Sequence, residues 1–146
     1  MGVRHSTRRQ GRGKPTLAVQ LSRLKASIRS LEGTLVPEIL KRALSIRQPL
    51  SELILRGEKT LEFRSRLTRI RERVYLYAGK KLALVHDFPD EEAERLPRGV
   101  IVGSVEIIDC YEDAEGFAWE LAGPVRYFRP LVPHGVPQPG FWYPTF

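Results

Sequence analysis

The sequence predicts an α+β protein: a small β-barrel with two short helices, preceded by a basic tail and one amphipathic helix. Three observations predict it. At least five short apolar, β-branched or aromatic runs follow residue 43, separated by Gly and Pro. They do not alternate with long helical patterns, which argues against a parallel βαβ sheet and for a barrel with helical plugs. Ahead of them, Leu17, Leu21, Leu24, Ile28 and Leu31 recur at spacings of four and three, the stripe of one longer helix.

Each element follows in order. Residues 1–15 carry Arg4, Arg8, Arg9, Arg12 and Lys14 without an acid, and Gly2, Gly11, Gly13 and Pro15 interrupt any helix. This segment reads as a disordered basic tail. Residues 16–42 read as the helix and a linker, with Thr16 capping the start and Gly33 the end. The leucine stripe is expected to dock on the domain that follows; the alternative is a dimer formed through the 16–32 helix.

Residues 43–146 form the domain. Ala43–Ile46 is a strand. Pro49 and Gly57 bracket a two-turn helix, because Pro suits a first helical position and Gly the position past the last. Thr60–Arg64 and Val74–Ala78 are strands. Asp90–Leu96 is a short acidic helix. Gly99–Asp109 is the longest strand, with Gly103 marking a bulge or a close backbone approach. Val125–Phe128 is a further strand, and the end is rich in Pro and aromatics.

The formal charge of +7 is unevenly placed. Residues 1–42 hold 10 Lys/Arg against 2 Asp/Glu; residues 43–81 hold 10 against 4; residues 82–146 hold 4 against 11. The domain therefore has a basic first half and an acidic second half. If these form different faces, one attracts phosphates and the other repels them. No apolar run approaches the ~20 residues of a membrane-spanning helix, so no membrane partner is expected. Cys110 stands alone, and His5, His86 and His134 are far apart, so neither a disulfide nor a metal site is expected, and no cofactor is implied. A reducing, cytoplasmic location is the simple expectation. The alternative is organelle import through the acid-free, Arg- and Ser-rich residues 1–31.

The chemistry concentrates between Ile46 and Arg64. Gln48 stands beside the helix start at Pro49. After Gly57 the chain turns through Lys59 and Thr60 into a strand on which Glu62 and Arg64 share one face. An amide, an ammonium, a carboxylate and a guanidinium so gathered suit the edge of a base or a phosphate. Glu58 stands directly before Lys59 where a P-loop requires glycine, so Gly57–Thr60 is not that motif. The bland alternative is a surface ion pair, worth only ~0–1 kcal/mol.

The same residues resemble the ASCH family (activating-signal-cointegrator homology): Ile46-Arg47-Gln48-Pro49, a helix, Gly57-Glu58-Lys59-Thr60, then Glu62-Phe63-Arg64. Arg98–Gly103, Phe117-Ala118-Trp119 and Pro139-Gly140-Phe141-Trp142 extend the likeness across residues 43–143. The resemblance implies a PUA-like barrel associated with nucleic acid and nucleoside ligands. It implies hydrolase activity in one group, which removes acetyl groups from acetylcytidine with a lysine, a threonine and a glutamate. Lys59 matches that lysine, Glu62 stands at the threonine, and Glu112, Asp113 and Glu115 lie near the glutamate. Other members are ribonucleases or nucleic-acid-binding modules.

The expected function is binding of RNA, or DNA, or a nucleoside-like ligand through Gln48, Lys59, Thr60, Glu62 and Arg64. Lys59 and Glu62 are the catalytic candidates if the protein is a hydrolase. A third reading is an interaction adaptor acting through the 16–32 helix. Arg66, Arg69, Arg71, Arg73, Lys80 and Lys81 are expected to supply phosphate contacts. Tyr75 and Tyr77 are expected to pack in the barrel rather than stack bases.

Overall fold

The computed structural model describes residues 13–32 and 38–146, with side chains described for 13–26 and 38–146. Residues 1–12 of the basic tail, the Gly33 stop and the side chains of Ile28 and Leu31 lie outside the described residues. The elements are α1 (Leu17–Glu32), β1 (Ala43–Arg47), α2 (Leu50–Leu55), β2 (Leu61–Arg64), β3 (Arg73–Gly79), α3 (Asp90–Arg95), β4 (Val100–Asp113), β5 (Gly116–Leu131) and β6 (Phe141–Trp142).

The six strands form one sheet in the order β2-β5-β4-β3-β1-β6. β1 and β3 run parallel, with Arg47 opposite Gly79; the other pairings are antiparallel. The sheet curls into a half-barrel. Arg64 on β2 donates to the Ser45 carbonyl on β1 at 2.8 Å, although three strands separate them in the sheet. Trp119 on β5 stacks on Phe141 on β6, with ring centroids 5.2 Å apart. In a flat sheet, strands four places apart lie about 19 Å from each other. The two edges therefore approach across a seam.

Central strand β3 is buried on both faces, which is why Val74–Ala78 is an unbroken apolar run. Val74, Leu76 and Ala78 join Leu44, Val105, Ile107 and Ile54 of α2. Tyr75 and Tyr77 point the other way, to Ile101, Tyr127 and Trp142. Both tyrosines pack in the barrel, as expected. Arg73 does not reach a phosphate: it is buried and bonded to Ser104 and to the Gly123 carbonyl.

Strands β4 and β5 exceed the sequence expectation, and Val125–Phe128 is only part of β5. Gly123-Pro124 looks like a break in sequence. The ladder accommodates it by a register shift between the Ser104–Val125 and Glu106–Ala122 pairs. Gly103 meets the expectation of close approach. A Cβ there would lie 2.2 Å from the Val125 carbonyl oxygen and 2.8 Å from Leu55 Cδ2.

The docking of α1 corrects the sequence reading. Leu17, Leu21 and Leu24 are 70%, 47% and 58% exposed. The helix instead packs on β5 through the opposite face. Ala26 is fully buried against Gly123, whose missing Cβ lets the helix backbone approach, and Arg23 pairs with Glu120 at 2.6 Å. A small residue facing a glycine allowed close contact that leucines would have blocked. Thr16 caps the helix through the Val19 amide, as expected.

Helix α2 is pinned by a polar cluster. Buried Glu52 accepts a bidentate pair from Arg126 at 2.7 and 2.8 Å and a bond from Arg56 at 3.1 Å. Arg56 also reaches Glu92 of α3.

Candidate functional site

The seam of the half-barrel opens into a cleft of ≈ 710 Å³. Three segments wall it. Glu62, Phe63 and Arg64 of β2 form one side; the ends of β1 and β3, with Ser45, Arg47, Tyr77, Lys80 and Lys81, form the second; the 137–140 loop forms the third. The loop is tied to β1, since Ser45 donates to the Gln138 carbonyl and receives a bond from Trp142 Nε1.

Strand parity aims β2 into the seam. Gly57, with φ +75°, ends α2 and turns the chain, so Glu62 and Arg64 face inward while Phe63 is half-exposed. Glu62 is buried between two cations: Lys59 Nζ lies 3.5 Å from Oε2 and Arg64 Nε 3.3 Å from Oε1. Neither contact completes a hydrogen bond, and Glu62 Oε2 and Arg64 Nε are both buried with only these ion-pair contacts. Arg64 lies over the Trp119 ring at 5.7 Å and spends its Nη2 on Ser45. The base of the cleft thus holds a carboxylate and a guanidinium side by side, meeting at ion-pair distance without a hydrogen bond.

The other expected residues are placed differently. Gln48 is fully buried and does not line the cleft. Its Oε1 accepts from the Glu52 amide and its Nε2 donates to the Pro97 carbonyl, so its amide braces α2 against the segment after α3. Lys59 sits behind Glu62, donating to the Leu61 carbonyl, with its ammonium 5.8 Å from the Phe63 ring. Thr60 is exposed outside the cleft. Arg66, Arg69 and Arg71 are exposed away from the cleft lining.

Arg47 is the cation that sequence reasoning missed. Its signal was parity: Ser45 and Arg47 share one face of β1, whereas Gln48 already belongs to the turn into α2. Arg47, Lys80 and Lys81 come together because β1 and β3 are parallel neighbours ending side by side. The cleft is lined by four cations, Arg47, Arg64, Lys80 and Lys81, against one carboxylate, Glu62. All four come from the basic half of the domain, and the 137–140 wall adds no charge. Burial pushes the Tyr77 phenol above its ordinary value, so it meets the cleft as a neutral hydroxyl.

The ASCH domain family matches residues 44–129, more than half of the chain. The chain belongs to the ASCH family. A solved structure, a serine-to-alanine mutant of ZmASCH from Zymomonas mobilis, matches with a TM-score of 0.50 and 15% identity, covering 74% of this chain and 90% of that one. That likeness bears on the fold: the half-barrel is the PUA-like ASCH fold. No curated protein sequence matches. Membership of the ASCH family carries nucleic-acid binding, or a hydrolase-type function, in general terms.

Proposed function

We propose that this ASCH protein binds single-stranded RNA by seating a base in the seam cleft. The observation that carries the reading is a carboxylate, Glu62, that meets its two cations only at ion-pair distance, at the base of a cleft otherwise lined by cations. Glu62 accepts from an exocyclic amino group, and Arg64 donates to a ring carbonyl or nitrogen. The arrangement favours a base that offers both a donor and an acceptor. Lys59 acts behind Glu62, orienting the carboxylate, while Gln48 holds the helix from which the β2 turn departs. Residues 1–42, with their excess of cations, add sequence-independent affinity.

The Lys59–Glu62 pair, 3.5 Å apart and mostly shielded from water, supports a second reading. It is an acid–base couple able to act on an amide borne by a nucleoside. The outward leucines of α1 support an independent reading, pairing of two chains through this helix. Solution mass of the full chain and of a Leu21→Gln, Leu24→Gln variant decides that point: a dimer lost in the variant supports it, and a monomer in both removes it.

Fluorescence anisotropy with labelled single-stranded RNA, across a salt series, tests the main reading. Glu62→Gln is expected to weaken binding about tenfold, the scale of one charge-assisted hydrogen bond. Unchanged affinity in Glu62→Gln and Lys59→Ala would mean that binding resides outside the cleft. Turnover of an acetylated cytidine, abolished by Lys59→Ala, would instead favour the hydrolase.

A further inference from the structure

We infer that the cleft takes a single nucleotide at the end of a strand, its base at Glu62 and its phosphate at Arg47, Lys80 and Lys81, and does not pass an internal stretch of chain. The inference rests on the cleft reading above and concerns how a polyanion can lie across it.

The two ends of the cleft carry opposite charge. At one end, Arg47 closes β1 opposite Gly79, and Lys80 and Lys81 continue directly from β3. Among the described residues these three cations have no ion pair, unlike Arg23, Arg42, Arg56 or Arg98. They stand on the wall opposite β2. At the other end, a second cavity of ≈ 390 Å³ shares Phe63 and Arg64 with the cleft and is lined by Asp113 and Glu115. The β2–β5 register explains this: Arg64 pairs with Phe117, so the acidic β4–β5 turn lies just past the end of β2. Gly116 seats the turn there; a Cβ on it would lie 2.7 Å from the Arg64 carbonyl oxygen.

A strand threading the cleft would carry phosphates over both ends. The cationic end favours them, and the Asp113 and Glu115 carboxylates of the acidic end repel them. A nucleotide with phosphate on one side only avoids the conflict. Its base fills the middle beside Glu62 and Tyr77, and its one phosphate exits over Lys80 and Lys81. A free mononucleotide and the terminal nucleotide of an RNA share this chemistry.

The test compares one short RNA sequence, internally labelled, in linear and covalently circular form, against the full-length protein and its Glu62→Gln and Lys80→Ala, Lys81→Ala variants. Binding through the basic tail is common to both RNAs and cancels in the comparison of variants. Expected is a loss of about tenfold for the linear RNA in each variant and no loss beyond a uniform salt-sensitive decrease for the circle. Competition by a nucleoside monophosphate, but not by the matching nucleoside at equal concentration, is expected for the linear RNA. It separates a site filled by free nucleotide from one that needs a strand: displacement by the monophosphate supports the first, and none with the linear preference intact supports the second. Equal losses for circle and linear RNA in Glu62→Gln overturn the terminal-nucleotide inference while leaving the cleft in place. If Glu62→Gln changes neither, the cleft reading itself fails. The exposed Lys80 and Lys81 keep the test valid should the Glu62 variant misfold.

Discussion

Glu52 and Glu62 are both buried carboxylates flanked by two cations, yet they are differently spent. Glu52 has its oxygens filled by Arg126 and Arg56. Burial alone would raise its pKa, but the bonds and charges of Arg126 and Arg56 outweigh burial and hold the carboxyl below its ordinary value. The sign for stability follows. The contribution is complete above the unfolded-state value and is lost as pH falls through the lowered folded-state value. Arg126 and Arg56 are partly exposed, so the cluster is worth less than a fully buried pair. Glu52→Gln is expected to cost about 2 kcal/mol at neutral pH in urea unfolding. The gap to the native chain should close as pH drops below the carboxylate range. A gap independent of pH would assign the loss to packing. Glu62, by contrast, meets Lys59 and Arg64 only at ion-pair distance, with one oxygen lacking a hydrogen bond.

At the scale of elements, two glycines decide how pieces meet. Gly103 lets β5 and α2 close over β4. Gly103→Ala is expected to cost about 3 kcal/mol, at the upper end of overpacking effects, because the nearest obstruction is backbone and cannot swing aside. Gly123 does the same for α1: its φ is +58° and a Cβ would lie 2.3 Å from the Ala26 carbonyl oxygen. Gly123→Ala should release the helix, seen as faster hydrogen exchange of the α1 amides than in the native chain. Replacing Leu21 and Leu24 by Ser should change monomer stability by no more than about 0.5 kcal/mol each, as for other surface sites. A loss of several kcal/mol from the leucine changes would contradict the observed docking face.

For the whole molecule, the charge asymmetry along the chain becomes a charge asymmetry across the seam. The basic half supplies every charge of the cleft, and the acidic half supplies the β4–β5 turn beyond it. RNA binding should therefore fall steeply with salt. Replacing Lys80 and Lys81 together by Ala should flatten the plot of log affinity against log salt by about 0.7, the value for the one phosphate contact they share on a single strand. An unaltered slope would place the phosphates elsewhere.

The sequence by itself determined the local elements and the family. Pro49 and Gly57 bracketed α2, alternation marked β2, the apolar run marked β3, and Gly103 announced close packing. These signals are local, because they depend on backbone dihedrals and side-chain parity within a few residues. The basic half of the domain was legible from composition alone. What tertiary structure decided was which groups meet. Gln48 looked like a cleft residue because it neighbours the motif, but the turn into α2 buries it. Arg47 became a cleft residue only because β1 ends beside β3. The leucines of α1 matched a buried stripe, yet the helix docks by Ala26 because β5 offers it a glycine. Periodicity states which residues share a face; only the partner surface, assembled from residues a hundred positions away, decides which face is buried.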